Sequence, residues 1–122
     1  MIILLYYYVL ILFYYNMGCS KKYFVLGLHE EYNSEYILSK IDESNFIDFY
    51  SYNEYLKNKI TAKQLVKESS LFLSKKNIGL EIDLDSIAYM PVSAKTPSGF
   101  TVETIRKIVL ELSNTFNFEY IH

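Results

Sequence analysis

From residue 23 onward the hydrophobic pattern keeps changing its period, and that alternation restricts the chain to a sheet with helices packed on it. Runs rich in branched and aromatic residues at 23–28 (YFVLGL), 46–52, 78–84 (IGLEIDL) and 116–121 predict strands. Between them lie amphipathic stretches. Ser34 is placed to cap a helix running to about Ile41, because its hydroxyl accepts from the first free N–H groups. Residues 61–76 carry Leu65, Val66, Phe72 and Leu73 among lysines that fall on other faces, which predicts a second helix closed by Asn77. The third is the best marked. Thr101 is its N-cap, Glu103 sits where the helix dipole favours an anion, Ile105, Ile108, Val109 and Leu112 form one stripe, and Asn114 ends it. Residues 85–100, with both Pro91 and Pro97, form an irregular loop. Strands alternating with helices predict an α/β fold, a three-layer αβα arrangement with a mainly parallel sheet, whose ligands bind at the carboxyl ends of the strands.

The chain has 122 residues, enough for one modest core. With 51% hydrophobic and 21% charged residues it has the composition of a folded chain, not a disordered one. A net charge of -2, with no basic stripe, argues against a nucleic-acid partner. Cys19 is alone, so no internal disulfide forms. His29 and His122 are the two histidines, too few for a His-rich metal site.

Residues 2–15 are unbroken apolar or tyrosine. A membrane-spanning helix needs roughly 20 apolar residues, and the tyrosines favour an interface over a bilayer centre. A secretory signal needs a positive leading region, and no Lys or Arg precedes this run. Asn16-Met17-Gly18-Cys19 departs from a lipoprotein cleavage box at Asn16. The plainer expectation is a strand or short helix, neither cleaved nor lipidated, that packs on the sheet or is left partly exposed. A membrane anchor through residues 1–15 is the alternative.

The chemistry concentrates in Gly79-Leu80-Glu81-Ile82-Asp83-Leu84-Asp85. On an extended strand Leu80, Ile82 and Leu84 face one way and Glu81, Asp83 and Asp85 the other, with alternate residues roughly 6.5 Å apart. Asp83 and Asp85 come last, where the strand opens into the loop, and two carboxylates there suit hard cations such as Mn²⁺ or Mg²⁺. The plainer reading of the same spacing is a solvated acidic face, and a D-x-D pair by itself is a weak motif.

The following stretch, Asp85-Ser86-Ile87-Ala88-Tyr89-Met90-Pro91 through Lys95-Thr96-Pro97-Ser98-Gly99-Phe100-Thr101, adds to that motif. An acidic strand end, a proline loop, Thr-Pro and then Gly before a capped helix resembles the arginase/agmatinase/formimidoylglutamase (ureohydrolase) family. The family's T-P-x-x-G-G-L-T-like turn is here one residue shorter, with one glycine. The form GLEIDLDSI…SAKTPSGF is most similar to the formimidoylglutamase-like branch. Residues 22–33 (KYFVLGLHEEYN) resemble that branch's strand and substrate-side loop, and 118–122 resemble the last core strand. The resemblance covers residues 16–122, which span well under half of a family member. It implies a division into an apolar segment, 1–15, and a partial arginase-like domain, 16–122.

By this resemblance Asp83 and Asp85 match two carboxylate ligands of a binuclear Mn²⁺ site. In the family a metal-bridging hydroxide hydrolyses a C–N bond of a guanidino or formimino substrate. The family's remaining ligands lie in a glycine–histidine motif and an Asp-x-His-x-x-x-Asp motif, neither of which occurs in this sequence, and in an acidic residue that would fall after His122. His29 and Asn33 fall in the substrate-side loop and Thr96 at the pocket mouth. Their plainer roles are a structural histidine, a turn residue and loop packing. The resemblance thus implies a fragment of a manganese-dependent hydrolase, inactive alone. Its partners would be a small amidine or guanidino substrate and a second chain carrying the missing half, in the cytoplasm. The rival class is a membrane-tethered or lipid-anchored protein without catalysis.

Overall fold

A computed structural model describes residues 10–14, 22–58, 60–73, 78–91 and 97–122. Strand β1 is Leu10–Tyr14 and β2 is Lys22–Leu28. After a 3₁₀ turn, Glu30–Tyr32, come α1 (Glu35–Asp42), β3 (Ile47–Ser51), α2 (Tyr52–Asn58), α3 (Ala62–Phe72) and β4 (Ile78–Ile82). A second 3₁₀ turn, Leu84–Ser86, leads through the loop to α4 (Val102–Thr115) and β5 (Phe118–Ile121).

Local chemistry accounts for most helix starts. The Ser34 hydroxyl accepts from the Ile37 N–H, and Thr101 from the Thr104 N–H. Thr61 and Gln64 form a reciprocal capping box. The helix expected over 61–76 starts at that cap but turns extended at Leu73. Two serines explain the shortening. Ser69 and Ser70 both turn their hydroxyls back onto the Val66 carbonyl, a habit that weakens helices. Leaving the helix lets Leu73 bury itself in the core. Asn77 lies outside the described residues.

Helix α2 begins at Tyr52, the last residue of the strand expected over 46–52, and runs through residues to which the sequence pattern assigns no element. Ser51 and Glu54 cap each other reciprocally: the Ser51 N–H donates to Glu54 Oε2 at 2.9 Å, and the Glu54 N–H donates to Ser51 Oγ at 3.1 Å. An S-x-x-E signal was present in the sequence, inside a stretch whose aromatic content favours a strand.

The sheet order is β3-β2-β1-β4-β5. Strands β2 and β3 pair in parallel, as do β4 and β5, but β1 runs antiparallel to both β2 and β4. The fold is mixed α/β, and the expectation of a mainly parallel sheet needs that correction. Two parallel β-α-β units are joined through a reversed central strand, Leu10–Tyr14, drawn from the apolar run. Pairing on both edges satisfies that strand's backbone polar groups, which makes an unbroken apolar segment tolerable there. No helix among the described residues is long and apolar enough to cross a membrane.

Helices cover both faces. On one, Leu65 and Val66 of α3 and Ile105, Ile108 and Leu112 of α4 bury against Phe24, Leu26, Ile78 and Leu80. On the other, Ile37, Leu38 and Ile41 of α1 pack on Val25, Leu28 and Phe49. Full burial of such a side chain is worth about 1.5–3 kcal/mol.

One irregularity positions the functional region. Phe24 and Leu26 point to the larger core and Val25 to the smaller one, as strict alternation requires, and Leu28 should rejoin the larger core. It joins the smaller instead. Gly27 is the cause: its φ is 78°, and the β2–β3 register slips between Leu26 and Leu28. This bulge adds one residue and inverts the alternation beyond it. His29 is thereby delivered to the α2–α4 side.

Candidate functional site at the carboxyl ends of the strands

Strands β2, β3, β4 and β5 run in one direction, so Leu28, Ser51, Ile82 and Ile121 end at the same edge of the sheet. The chain leaving that edge carries Asp83 and Asp85 after β4, His29 and Asn33 after β2, and Tyr52 after β3.

The acidic half follows β4, an interior strand flanked by β1 and β5. Asp83 lies one residue past it. Its Oδ1 accepts the Asp85 N–H at 3.0 Å and so caps the 3₁₀ turn Leu84–Ser86. The strand expected to reach residue 84 therefore stops at Ile82. Glu81 alone of the three acids stays in the ladder, while Asp83 and Asp85 share a tight turn in place of alternate strand positions. An aspartate that takes an N–H two residues on favours such a turn over extension. Both side chains are half-buried. Burial pushes the Asp83 carboxyl above its ordinary range, the Asp85 N–H pulls it back, and the Asp85 charge pushes it up again.

The oxygen donors of this pair have the hardness that Mn²⁺ or Mg²⁺ requires. Their number falls short of a binuclear site. Among the described residues no group of three or more His, Cys, Asp or Glu side chains is placed to hold a metal ion. The pair fits one edge of such a site and not its whole.

Beyond the turn, Ile87 bridges to Phe100 in parallel, and the Ala88 N–H donates to the Phe100 carbonyl at 3.0 Å. Tyr89 takes a φ of 61°, unusual for a bulky residue, in the turn closed by Met90 N–H on the Ile87 carbonyl. Thr96 lies outside the described residues.

The aromatic half surrounds His29, which is only 4% exposed. Its ring stacks on Tyr52 with centroids 4.7 Å apart and lies 5.5 Å from the ring of Tyr32. Its backbone carbonyl accepts both the Tyr32 N–H at 3.2 Å and Asn33 Nδ2 at 2.7 Å, so His29 and Asn33 are brought together as a closed turn. Its Nε2 is buried and makes no hydrogen bond. Burial lowers the ring's proton affinity, and the nearby Glu31 carboxylate partly restores it. Glu31 is itself held ionised by the Asn53 side-chain amide of α2.

Tyr52 is the residue that sequence reasoning missed. Its hydroxyl donates to the Gly99 carbonyl at 2.9 Å, and its ring meets Phe100 edge-on at 5.1 Å, with Tyr55 against the same Phe100 at 4.5 Å. Burial raises the Tyr52 hydroxyl's pKa, so it remains a proton donor at neutral pH. Phe100 joins the halves, touching Tyr52 on one side and bridging Ile87, two residues past Asp85, on the other. Recognising the Ser51–Glu54 capping box would have placed Tyr52 at a helix start facing this edge.

In comparisons with known proteins, no family model, no curated protein and no solved structure matches the chain.

Proposed function

We propose that this chain is part of a ureohydrolase-like, manganese-dependent hydrolase of the arginase/agmatinase/formimidoylglutamase type, with an αβα fold and in the cytoplasm. Asp83 and Asp85 supply two of its metal ligands. The observation that carries this reading is the acidic turn itself: two carboxylates at the carboxyl end of an interior strand, followed by a loop that returns through Gly99 and Phe100 to a capped helix. A carboxyl group driven up by burial is also one that a bound cation would relieve. His29, Asn33 and Thr96 are assigned to the substrate side, for a small amidine or guanidino compound. Ligands beyond the two aspartates would come from protein outside these 122 residues, whether continuous with them or a separate chain. With two carboxylates from one turn, neither a pair of cations nor a bridging hydroxide can be held, so the chain alone is read as inactive.

Calorimetry with Mn²⁺ provides the test. The isolated chain is expected to bind Mn²⁺ weakly, to lose that binding in the Asp83→Ala/Asp85→Ala double variant, and to release no urea from arginine or agmatine and no formamide from formimidoylglutamate. Supplied with a chain bearing an Asp-x-His-x-x-x-Asp segment, it should gain Mn²⁺-dependent hydrolysis that Asp83→Asn abolishes. An unchanged Mn²⁺ isotherm in the double variant would remove the reading's foundation.

A further inference from the structure

We propose that His29, Tyr52 and Gly99 form an acid-released latch: protonation of His29 opens the 29–33 turn, and Tyr52 passes the opening to the Gly99–Phe100 segment. This inference rests on the packing around His29 and is independent of the metal-hydrolase reading.

The closed state holds a neutral imidazole. Nε2 is buried with no hydrogen-bond partner, and the ring lies against the face of Tyr52 with Tyr32 nearby. A neutral ring nitrogen tolerates that position. A protonated ring carries donors at both nitrogens and a charge, and burying an unpaired charge costs far more than burying an unpaired neutral atom. Among the described residues, the titratable groups that face the ring are Glu31 and Tyr32 from its own turn and Tyr52 from α2. Burial holds the Tyr52 hydroxyl neutral near pH 6. Glu31 alone favours the cation, but it is exposed to water and already bonded to Asn53, so it offsets burial only in part. Hydration of the ring requires the turn to open.

Opening has a defined route. The closed turn hangs on the His29 carbonyl, which holds both the Tyr32 N–H and Asn33 Nδ2. Two contacts tie this turn to α2, the Asn53–Glu31 hydrogen bond at its exposed side and the His29–Tyr52 stack at its buried side, and only the stack is lost when the ring leaves its site. Tyr52 in turn passes the opening on through its hydroxyl, which holds the Gly99 carbonyl next to Phe100. Losing the stack frees the Tyr52 ring and loosens the Phe100 carbonyl that receives the Ala88 N–H.

The direction with pH follows from linkage. The open form titrates near the ordinary histidine value of 6.5, and the closed form below it. The closed form is therefore fully favoured above 6.5. As pH falls below that value the open population grows, by up to about tenfold per pH unit, until the closed form also takes its proton.

Amide hydrogen exchange on the full chain between pH 7 and pH 5.5, corrected for intrinsic exchange, tests the latch. Protection of the Tyr32, Asn33 and Ala88 amides should fall together with pH while that of Ile82, bonded to the His122 carbonyl, stays constant. The pH response should vanish in His29→Phe and in His29→Gln. In Tyr52→Phe, Tyr32 and Asn33 should still respond and Ala88 should not. A flat profile in the unmodified chain, a response surviving in both His29 variants, a fall at Ile82 in step with the rest, or an Ala88 response persisting in Tyr52→Phe would each overturn the proposal.

Discussion

The two halves of the strand-end region answer the same problem, polar groups where a sheet meets its loops, in opposite ways. Around His29 the polar atoms are sealed in: the ring stacks on Tyr52 with Tyr32 nearby, its carbonyl accepts twice, and Nε2 is buried without a hydrogen bond. Around Asp83 and Asp85 the polar atoms stay half-exposed, and the Asp85 N–H caps onto Asp83 Oδ1 within a single turn. The first half depends on residues far apart in the chain, with Tyr52 reaching Gly99 and Phe100. In the second, the cap that shapes the turn joins residues two apart. The aromatic half should therefore respond to distant substitutions and to pH, and the acidic half to local charge.

The severest test removes the residue common to both. Phe100 is 1% exposed and lies between Tyr52, Tyr55 and the Ile87 bridge. Phe100→Ala should cost about 3–5 kcal/mol in urea unfolding. A loss below about 1 kcal/mol would mean that the halves are not coupled through this ring.

A smaller change should break one half only. Gly27→Ala puts a side chain on a left-handed backbone, which costs about 1–2 kcal/mol. It also presses the chain to give up the bulge that sends His29 to the α2 side. The ring-current shift on His29 protons should weaken while the chemical shifts of Asp83 and Asp85 hold. Equal perturbation of both sites would show that the bulge serves the whole edge.

The mildest sharpens the contrast. The Asp83 carboxyl titrates higher in the fold than in the unfolded chain, so its ionised form opposes folding at neutral pH, and that opposition is relieved as pH falls through the folded value. Asp83→Asn keeps an oxygen for the Asp85 N–H and removes the charge. It should leave stability unchanged or raise it, within about 0.5 kcal/mol at neutral pH, with the gain shrinking in acid. A destabilisation larger than that would show that the contacts of the Asp83 carboxylate outweigh the cost of its burial.

How much of this was legible varies by residue. The α4 pattern transferred almost intact: Thr101 caps, Ile105, Ile108 and Leu112 are buried, and Val109 is half-buried on the same side. The location of Asp83 and Asp85 just past the end of an interior strand was legible from their position after an apolar alternation. Their mutual geometry was not, because alternation assumes extension and Asp83 itself ends the extension. His29 was placed correctly in the loop after its strand, but its stack on Tyr52 depends on a register slip and on a helix start in a stretch that reads as a strand. The residues with aromatic content at 46–52 favour a strand, and the Ser51–Glu54 cap overrides them at the last position.

Sequence alone determined the features whose partners lie within a turn. Ser34, Thr61 and Thr101 each meet an N–H three residues ahead, and the side chains of Leu80 and Ile82 are sorted by the pleat of a single strand. Only the tertiary structure decided that Leu10–Tyr14 runs backwards between β2 and β4, that α1 takes one face and the other helices the opposite one, and that His29 meets Tyr52. Those outcomes rest on pairings between segments tens of residues apart. An apolar strand fits equally well beside several neighbours in either direction, and the choice is made only when every strand edge and apolar face must be satisfied at once.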